Sequence, residues 1–281
     1  MSITAQPESS ATKGRRLPLR FEVVSSERLT PLMQRVVFSS HQFVEFARKF
    51  GGFADSYVKL VFLPEGFDYP DPLDLDFVKD TYPPEAQPTI RTYTLRAIDL
   101  EHGRITIDFV LHGDSGVAGP WAASAQPGDT LHLTGPGGAY APDPVAPWHL
   151  VAGDEAALPA IQATLEAMPA GARVHAYVEV DGPDDEQPVV SEAHVALTWL
   201  HRRGAAPGST TLIADAVRAD EWPPGDPQVF IHGEAGLLKQ LRSYLLNERG
   251  VPRERLSLSG YWRKGATEEG FRAWKASQPK V

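Results

Sequence analysis

The spacing of apolar residues changes halfway along this chain, and the change constrains the fold more than any other feature. In the first half, residues such as Ile105, Ile107 and Phe109 alternate with Thr106 and Asp108, as in strands with one buried face. Six short runs rich in β-branched and aromatic residues are separated by turns. These runs are Leu19 to Ser26, Met33 to Ser39, Tyr57 to Leu63, Arg91 to Ile98, Arg104 to Leu111 and Asp129 to Leu133. They predict an N-terminal antiparallel six-stranded β-barrel.

The second half alternates short apolar strands with stripes at helical spacing. Leu158, Ile161 and Leu165 form one such stripe, and a second ends at Gly250. The predicted strands are Trp148 to Ala152, Arg173 to Val180, Val195 to Leu200, Gln228 to His232 and Leu256 to Gly260. This alternation predicts a C-terminal doubly wound parallel-sheet α/β domain.

The boundaries follow from these patterns. Three prolines between residues 141 and 147 separate the halves, and six prolines between residues 64 and 88 predict a long loop. We therefore expect a disordered tail over residues 1–16, a barrel domain over 17–143, an α/β domain over 147–265 and a C-terminal helix or tail over 266–281.

The composition of the chain excludes several kinds of chemistry and partner. The chain of 281 residues has no cysteine, which excludes disulfides, thiolate nucleophiles and cysteine-ligated zinc or iron–sulfur clusters. The nine histidines are scattered without metal-ligand spacing, so we expect no dedicated metal site. The net charge of -9 argues against nucleic acid as a partner. With no long apolar run and no apolar signal segment at the start, we expect a cytoplasmic protein without membrane insertion.

The stretch Arg91-Thr92-Tyr93-Thr94-Leu95-Arg96 carries a cation, a phenol and hydroxyls on a β-type hexapeptide. Such a set could hold a flavin dinucleotide, with arginine on the pyrophosphate, tyrosine against an aromatic face and threonine at a polar ring edge. A purely structural strand is the alternative.

Three further stretches suggest a bound cofactor. The glycine-rich run from Leu111 to Ala122 predicts a helix starting near Gly119 or Pro120, where free N–H groups would bind an anion. A plain turn is the alternative, and its Gly-Asp-Ser-Gly tetrapeptide resembles a serine protease motif in the wrong architecture. Asp154 and Glu155 follow the first parallel strand, where they could also simply cap a helix. Two aromatics and two cations between Gly260 and Gly265 could cover a flat ligand or fill the core.

Taken in order, these stretches resemble the siderophore-interacting protein family, which comprises FAD-binding ferric-siderophore reductases with a ferredoxin–NADP reductase-like fold. The resemblance implies that Arg91 meets the FAD pyrophosphate, that Tyr93 packs on the flavin or its ribityl chain, and that Thr94, the catalytic contact, bonds near the flavin N5. The other FAD contacts that it implies are His112, Gly113, Gly116, Ala118, Gly119, Trp121, Ala122, Asp154, Glu155, Tyr261 and Trp262.

The resemblance also implies sites for two substrates. Gly233 and Glu234, with Trp199 nearby, would form the nicotinamide site, although His232 replaces a small residue that many relatives carry there. Lys59, Arg263 and Lys264 would bind an anionic ferric siderophore, because an acidic protein needs a local positive patch to attract it.

The implied activity passes electrons from NADH or NADPH through FAD to an Fe(III)-siderophore and releases Fe(II). One alternative is a flavin reductase or a flavoprotein fed by ferredoxin, and another is a siderophore-binding module without catalysis. We expect a monomer. The siderophore and the preferred electron donor stay open at this point.

Overall fold

The computed structural model describes residues 17–111 and 116–277, which form two sheets with their helices. The first sheet has seven antiparallel strands in the order β4-β3-β7-β1-β2-β6-β5. The strands are β1 Leu19–Thr30, β2 Met33–Ser39, β3 Tyr57–Phe62, β4 Thr89–Thr94, β5 Ala97–Asp99, β6 Arg104–Val110 and β7 Thr130–Gly137. With β4 at one edge and β5 at the other, the sheet is barrel-like but open.

The seventh strand arises because the predicted run from Arg91 to Ile98 divides in two. Leu95 leaves β4 and donates its N–H to the carbonyl of Ser56 at 2.7 Å. Arg96 donates its N–H to the carbonyl of Thr106 at 2.9 Å, which begins the pairing of β5 with β6. The corner between Thr94 and Ala97 therefore redirects the chain at the edge of the sheet. The predicted fold class is confirmed, with one strand more than expected.

Three helices accompany this sheet: α1 Phe43–Ala47, α2 Leu75–Thr81 and α3 Ala118–Ser124. The core beneath the sheet is aromatic, and Phe21, Phe38 and Phe109 are fully buried in it. Each such side chain contributes roughly 1.5–3 kcal/mol by leaving water. Helix α3 covers one side of this core with Ala118 and Ala122.

The segment between residues 64 and 88 is not the long loop that its prolines predict. It contains α2, whose first turn is capped by the Asp74 carboxylate accepting from the N–H groups of Asp76 and Phe77. A 3₁₀ turn at Pro84–Ala86 follows. Val78 packs with Leu73 and Val61 in a small satellite core. The prediction failed because one capped turn and a few apolar contacts suffice to order so short a helix.

The second sheet has five parallel strands in the order β10-β9-β8-β11-β12. They are β8 His149–Asp154, β9 Arg173–Val180, β10 His194–His201, β11 Gln228–Glu234 and β12 Leu256–Trp262, and its helices are α4 Leu158–Glu166, α5 Leu212–Ala219, α6 Ala235–Ser243 and α7 Glu268–Ser277. The strand order reverses between β8 and β11, and ligands of doubly wound sheets bind at such a point.

The two halves are joined by a shared apolar core and by polar bonds. Met33 and Val110 of the first half pack in one cluster with Val151 and Phe230 of the second. The Arg96 guanidinium, at the corner before β5, donates to both carboxylate oxygens of Glu166 on α4 at 2.8 and 2.5 Å. These contacts fix the edge of β4 opposite the carboxyl ends of the parallel strands.

Candidate functional site

A cleft of about 830 Å³ lies between the two halves. One wall comes from β3, β4 and the first turn of α3, and the other from the ends of β11 and β12. Its lining includes nine of the residues predicted from the sequence, namely Lys59, Arg91, Tyr93, Thr94, Gly116, Ala118, Gly119, Tyr261 and Trp262. Nine of the twenty predicted site residues are therefore brought to one place.

Strand β4 supplies the polar side of the cleft. It is an edge strand that pairs with β3, where Arg91 is opposite Leu60 and Tyr93 is opposite Val58. The Tyr93 ring packs on Phe109 with 4.6 Å between centroids, so the core fixes its position. Thr94, the last residue of the strand, is buried. One edge therefore presents a cation, an aromatic face and a hydroxyl in sequence.

The first turn of α3 forms the neighbouring part of the wall. Gly116 adopts a φ of +80°, and a Cβ built there meets nothing within 4 Å, so the backbone is open toward the cleft. Helix α3 begins at Ala118, close to the predicted start. Trp121 and Ala122 instead face the core, where Trp121 stacks on Phe38 with 6.0 Å between centroids. His112 and Gly113 lie outside the described residues.

Asp154 is the buried polar centre of the second wall. Its Oδ2 accepts hydrogen bonds from the Trp262 indole Nε1 at 2.8 Å and from the Glu234 N–H at 2.9 Å. Its Oδ1 accepts from the Ala156 N–H at 3.0 Å. Burial raises the pKa of the Asp154 carboxyl to about 6, although these hydrogen bonds act in the opposite direction. Asp154 therefore orients Trp262 at the cleft rather than lining it.

Glu155 points into the second half. Its carboxylate accepts from the Arg202 guanidinium at 2.8 Å and from the Asp181 N–H at 3.0 Å. Both Glu155 and Arg202 are buried, and such a pair is costly to break from one side. The structure therefore places Glu155 in an ion pair at the ends of β8 and β10, away from the cleft lining.

Tyr261 faces the cleft from the end of β12. Its hydroxyl lies 3.1 Å from Nδ1 of His232, whose Nε2 lies 2.9 Å from the hydroxyl of Ser257. Burial, followed by the negative charge of Asp55, raises the pKa of the Tyr261 phenol, while a side-chain hydrogen bond to Thr94 acts in the opposite direction. Tyr261 and Thr94 therefore both line the cleft, one from each wall.

Gly233 and Glu234 end β11 beside this wall. Gly233 has a φ of +132°, and a Cβ there would lie 2.8 Å from the Asp154 carboxylate. Glu234 caps α6, accepting from the N–H groups of Gly236 and Leu237. Trp199 is not with them, because β10 lies three strands from β11, a separation of about 14 Å.

Several residues that line the cleft were not predicted as site residues from the sequence. Asp108 was expected on the exposed face of β6, yet it is buried at the interface, bonded at 2.7 Å through each carboxylate oxygen to Arg35. Asp55 lines the cleft and accepts the N–H groups of Ala139 and Tyr140, both at 2.8 Å. Phe271, in the segment predicted as a C-terminal helix or tail, is buried against Gly260. Their partners are distant in sequence, which left no local signal.

Comparisons with known proteins address the identity of this site. Residues 22–140 match the family described as the siderophore-interacting FAD-binding domain, and residues 146–265 match the one described as siderophore-interacting protein. An uncharacterised protein of Mycobacterium tuberculosis is 48% identical over 267 residues, covering 91% of this chain and 93% of that protein. The ferric vibriobactin reductase ViuB of Vibrio cholerae is 36% identical over 195 residues, covering 67% of this chain and 69% of ViuB.

The chain belongs to the siderophore-interacting protein family.

Solved structures agree with this membership. A siderophore utilization protein from T. fusca has a TM-score of 0.76 at 38% identity, covering 89% of this chain and 94% of that one. The siderophore-interacting protein SipS from Aeromonas hydrophila has a TM-score of 0.76 at 28% identity, covering 93% of this chain and 97% of that one. A ferredoxin-NADP⁺ reductase from Plasmodium falciparum, at 11% identity and a TM-score of 0.62, shares the fold and covers 87% of this chain and 96% of its own.

Members of the siderophore-interacting protein family carry FAD, and the cleft fits it. Its volume is near the upper end of the 300–1,000 Å³ that ligand sites occupy. Arg91 supplies a fixed cation for a pyrophosphate, and the open backbone at Gly116 leaves room for one. The aromatic rings of Tyr93 and Tyr261 supply flat apolar contacts for a ring system.

The three cations predicted to bind a siderophore do not all line the cleft. Lys59 lines the cleft from β3. Arg263 and Lys264 lie in the turn after β12 with exposed side chains, and the Arg263 guanidinium sits 4.7 Å from the centre of the Trp274 ring. Among the residues that line the cleft, Lys59 and Arg91 are therefore the cations that the structure describes.

Two further properties concern the described part of the chain. Over residues 17–111 and 116–277, no three histidine, aspartate or glutamate side chains are arranged to hold a metal ion. Over the same residues, no helix has the length and apolar character needed to cross a membrane.

Proposed function

We propose that this protein is an FAD-dependent reductase that passes electrons from NADH or NADPH to a ferric siderophore and releases Fe(II). One observation carries the proposal: a single cleft presents the Arg91, Tyr93 and Thr94 edge, the cation of Lys59 and the Tyr261 wall together. The name of the relative ViuB, a ferric vibriobactin reductase, supports the choice of acceptor.

The residues on β4 hold the cofactor in this account. Arg91 binds the pyrophosphate, because a guanidinium offers paired donors to phosphate oxygens. Tyr93, fixed on Phe109, packs against the flavin or its ribityl chain. Thr94 would place its hydroxyl near the flavin N5, as the family resemblance implies. Gly116, Ala118 and Gly119 contribute backbone, while His112 and Gly113 keep the roles that the family resemblance implies.

FAD, when bound, accepts two electrons at once from a nicotinamide and passes them singly to iron. The protein binds, orients and shields the reactants. The partly buried Tyr261 and the buried Phe271 line the cleft with aromatic surface, and Asp154 holds Trp262 beside them. Fe(II) binds hard oxygen ligands less tightly than Fe(III) does, so reduction releases the metal from its chelate.

The nicotinamide is proposed to bind at the carboxyl ends of β8 and β11, the usual ligand position in a doubly wound sheet. Gly233 and Glu234 end β11 there, and Gly233 brings the backbone close to Asp154. Trp199 lies too far away in the sheet for this role. NADH and NADPH are equal candidates for this site.

Lys59 is proposed to attract the siderophore. A tris-catecholate Fe(III) complex is an anion, and a chain of net charge -9 repels it except where a cation focuses a positive potential. Lys59 has this position in the cleft. Arg263 and Lys264, exposed in the turn after β12, extend the positive surface toward a large ligand.

The experiment is a set of anaerobic half-reactions. Purified protein saturated with FAD should be yellow, should bleach with NADH or NADPH, and should regain its colour when a ferric siderophore is added. Bleaching by reduced ferredoxin alone would favour a ferredoxin-fed flavoprotein. Bleaching followed by transfer to free flavin but not to the chelate would favour a flavin reductase. Binding of the chelate by a protein that refuses FAD would favour a non-catalytic module.

A further inference from the structure

Strand β3 presents two exposed side chains, Tyr57 and Lys59, on one of its faces. The side chains of Val58 and Leu60 are fully buried in the core. Tyr57 and Lys59 alternate with them and therefore share the opposite face of the strand. Both line the cleft, and Tyr57 keeps 40% of its surface exposed. An aromatic ring and an ammonium group thus lie side by side on one wall.

The residues proposed to hold most of the FAD, Arg91 and Tyr93, lie on the other face of the sheet. Tyr93 is paired with Val58, and paired residues of an antiparallel ladder share a face. Tyr57 is paired with Thr94, which is proposed to lie near the flavin N5. The face that carries Tyr57 therefore borders the reactive part of the cofactor and leaves the surface at Arg91 and Tyr93 to the rest of it.

The backbone of β7 supports the Tyr57 ring. Gly137 is the β7 partner of Tyr57, and a Cβ built on Gly137 would lie 2.9 Å from both Cζ and the hydroxyl oxygen of Tyr57. Glycine at this position therefore lets the ring lie against the strand. Within residues 17–111 and 116–277, no hydrogen bond or stacked ring involves the Tyr57 side chain, so its outer surface is open to a ligand.

The charges around the ring favour an anion. Lys59 and Arg91 both line the cleft. The Asp55 carboxylate, on the same wall, accepts two backbone N–H groups at 2.8 Å, and the Asp108 carboxylate is paired with Arg35 at 2.7 Å. An anion with an aromatic ring fits both features of the wall, because its ring stacks on a phenol while its charge meets the ammonium group.

We propose that Tyr57 selects siderophores that bind iron through aryl oxygens, by stacking on one of their rings beside Lys59. Catecholates and phenolates are planar anions of this kind, whereas hydroxamates and carboxylates bind iron through oxygens that no aromatic ring carries. The inference names the class of chelate for the proposed function and rests on that function. Tyr57 acts here on binding of the acceptor and not on electron transfer.

Calorimetry with redox-inert chelates separates the effect of the ring from that of the charge. The chromium(III) complexes of a hexadentate tris-catecholate and of oxalate carry the same negative charge, but only the first has aromatic rings. Each is titrated at low ionic strength into oxidised, FAD-saturated protein without an electron donor. We expect Tyr57→Leu to raise the Kd for the tris-catecholate by about tenfold and that for the oxalate complex by less than about twofold. Tyr57→Phe, which keeps the ring, should bind both complexes as the wild type does.

The glycine beneath the ring provides an independent variant. Gly137→Ala keeps Tyr57 but displaces its ring, so it should also raise the Kd for the tris-catecholate by about tenfold. The double variant with Tyr57→Leu should show no larger loss than Tyr57→Leu alone, because both changes remove the same contact. Phe77→Leu, at an exposed aromatic residue outside the cleft lining, is the control and should leave both Kd values unchanged.

An equal rise of both Kd values in Tyr57→Leu, no change in either, or a wild type that binds neither complex would overturn the inference. The FAD Kd of the apoprotein supplies a further check. A tenfold rise of that Kd in Tyr57→Leu would also overturn the inference, because Tyr57 would then hold the cofactor. Tyr57-dependent binding of the tris-catecholate in a protein that forms no Fe(II) from the ferric chelate would support the binding role and defeat the proposed reaction alone.

Discussion

The indole Nε1 of Trp262 donates a hydrogen bond to the Asp154 carboxylate at 2.8 Å, which joins the ends of β8 and β12. The Glu234 N–H, at the end of β11, donates to the same oxygen at 2.9 Å. Three parallel strands thus meet at one buried carboxylate beside the cleft. Asp154 therefore controls the shape of the wall that faces the proposed cofactor.

The buried carboxyl of Asp154 should make stability depend on pH. Its folded pKa of about 6 exceeds the unfolded value near 3.8, so the folded state binds more protons between them. The contribution is complete below pH 4 and is lost as pH rises through 6. Urea unfolding should show that, between pH 4 and pH 7, the wild type loses roughly 3 kcal/mol more of its free energy of unfolding than Asp154→Asn does. Equal pH profiles for the two proteins would contradict this.

Replacing Arg91 should weaken FAD binding. Hydrogen bonds to a charged group contribute roughly 1.5–3 kcal/mol, so Arg91→Ala should raise the FAD Kd by about 10- to 100-fold. Titration of apoprotein with FAD, followed by flavin fluorescence, measures this. Arg104→Ala, at an exposed position on β6, is the control and should leave the Kd unchanged. An unchanged Kd in Arg91→Ala would remove the pyrophosphate role.

Lys59 should govern the acceptor and not the cofactor. A single charge at contact distance near water is worth about 1 kcal/mol, so Lys59→Gln should raise the KM for a tris-catecholate chelate by about fivefold. The effect should shrink in 0.5 M salt, where screening is strong, as expected from a Debye length of roughly 4 Å. A neutral tris-hydroxamate chelate and the exposed-site variant Lys79→Gln serve as controls. An equal rise for both chelates would exclude a charge effect.

Gly233 should tolerate no side chain. Its φ of +132° and the 2.8 Å approach of a Cβ to Asp154 both oppose substitution. Gly233→Ala should lower the free energy of unfolding by roughly 2–4 kcal/mol and disturb the wall at β11. Gly182→Ala, where the added methyl meets nothing within 4 Å, should change it by less than about 0.5 kcal/mol. Thermal or urea unfolding compares the two, and similar losses would refute the local explanation.

The fold class could be predicted from the sequence because apolar residues recur clearly at strand spacing in the first half and at helical spacing in the second. The alternation of Ile105, Ile107 and Phe109 places one face of β6 in the core, and all three side chains are fully buried. The corner at Leu95 and Arg96 could not be read in this way. It depends on the carbonyls of Ser56 and Thr106, which only the folded sheet brings near.

The site was predictable where its residues lie on a single stretch of chain. Arg91, Tyr93 and Thr94 share β4 and all reach the cleft. Glu155 and Trp121 lie in predicted stretches, but their side chains point away from the cleft. Glu155 forms an ion pair with Arg202, and Trp121 packs in the aromatic core. The direction of each side chain is set by partners that are distant in the sequence.

The contacts of His232 could not be predicted from the sequence. Its sequence position marks only a departure from a small residue. Its contacts with Tyr261 and Ser257 appear once β11 and β12 are paired. The polar face that these strands present to the cleft is therefore a product of sheet pairing.

The most direct test of the account counts electrons. FAD-saturated protein is mixed anaerobically with one equivalent of NADH or NADPH and an excess of ferric tris-catecholate siderophore, and Fe(II) is trapped by a chelating dye. We predict two Fe(II) per nicotinamide oxidised, with the rate abolished when FAD is omitted. Oxidation of the nicotinamide without Fe(II), or Fe(II) formed equally well without FAD, would contradict the account.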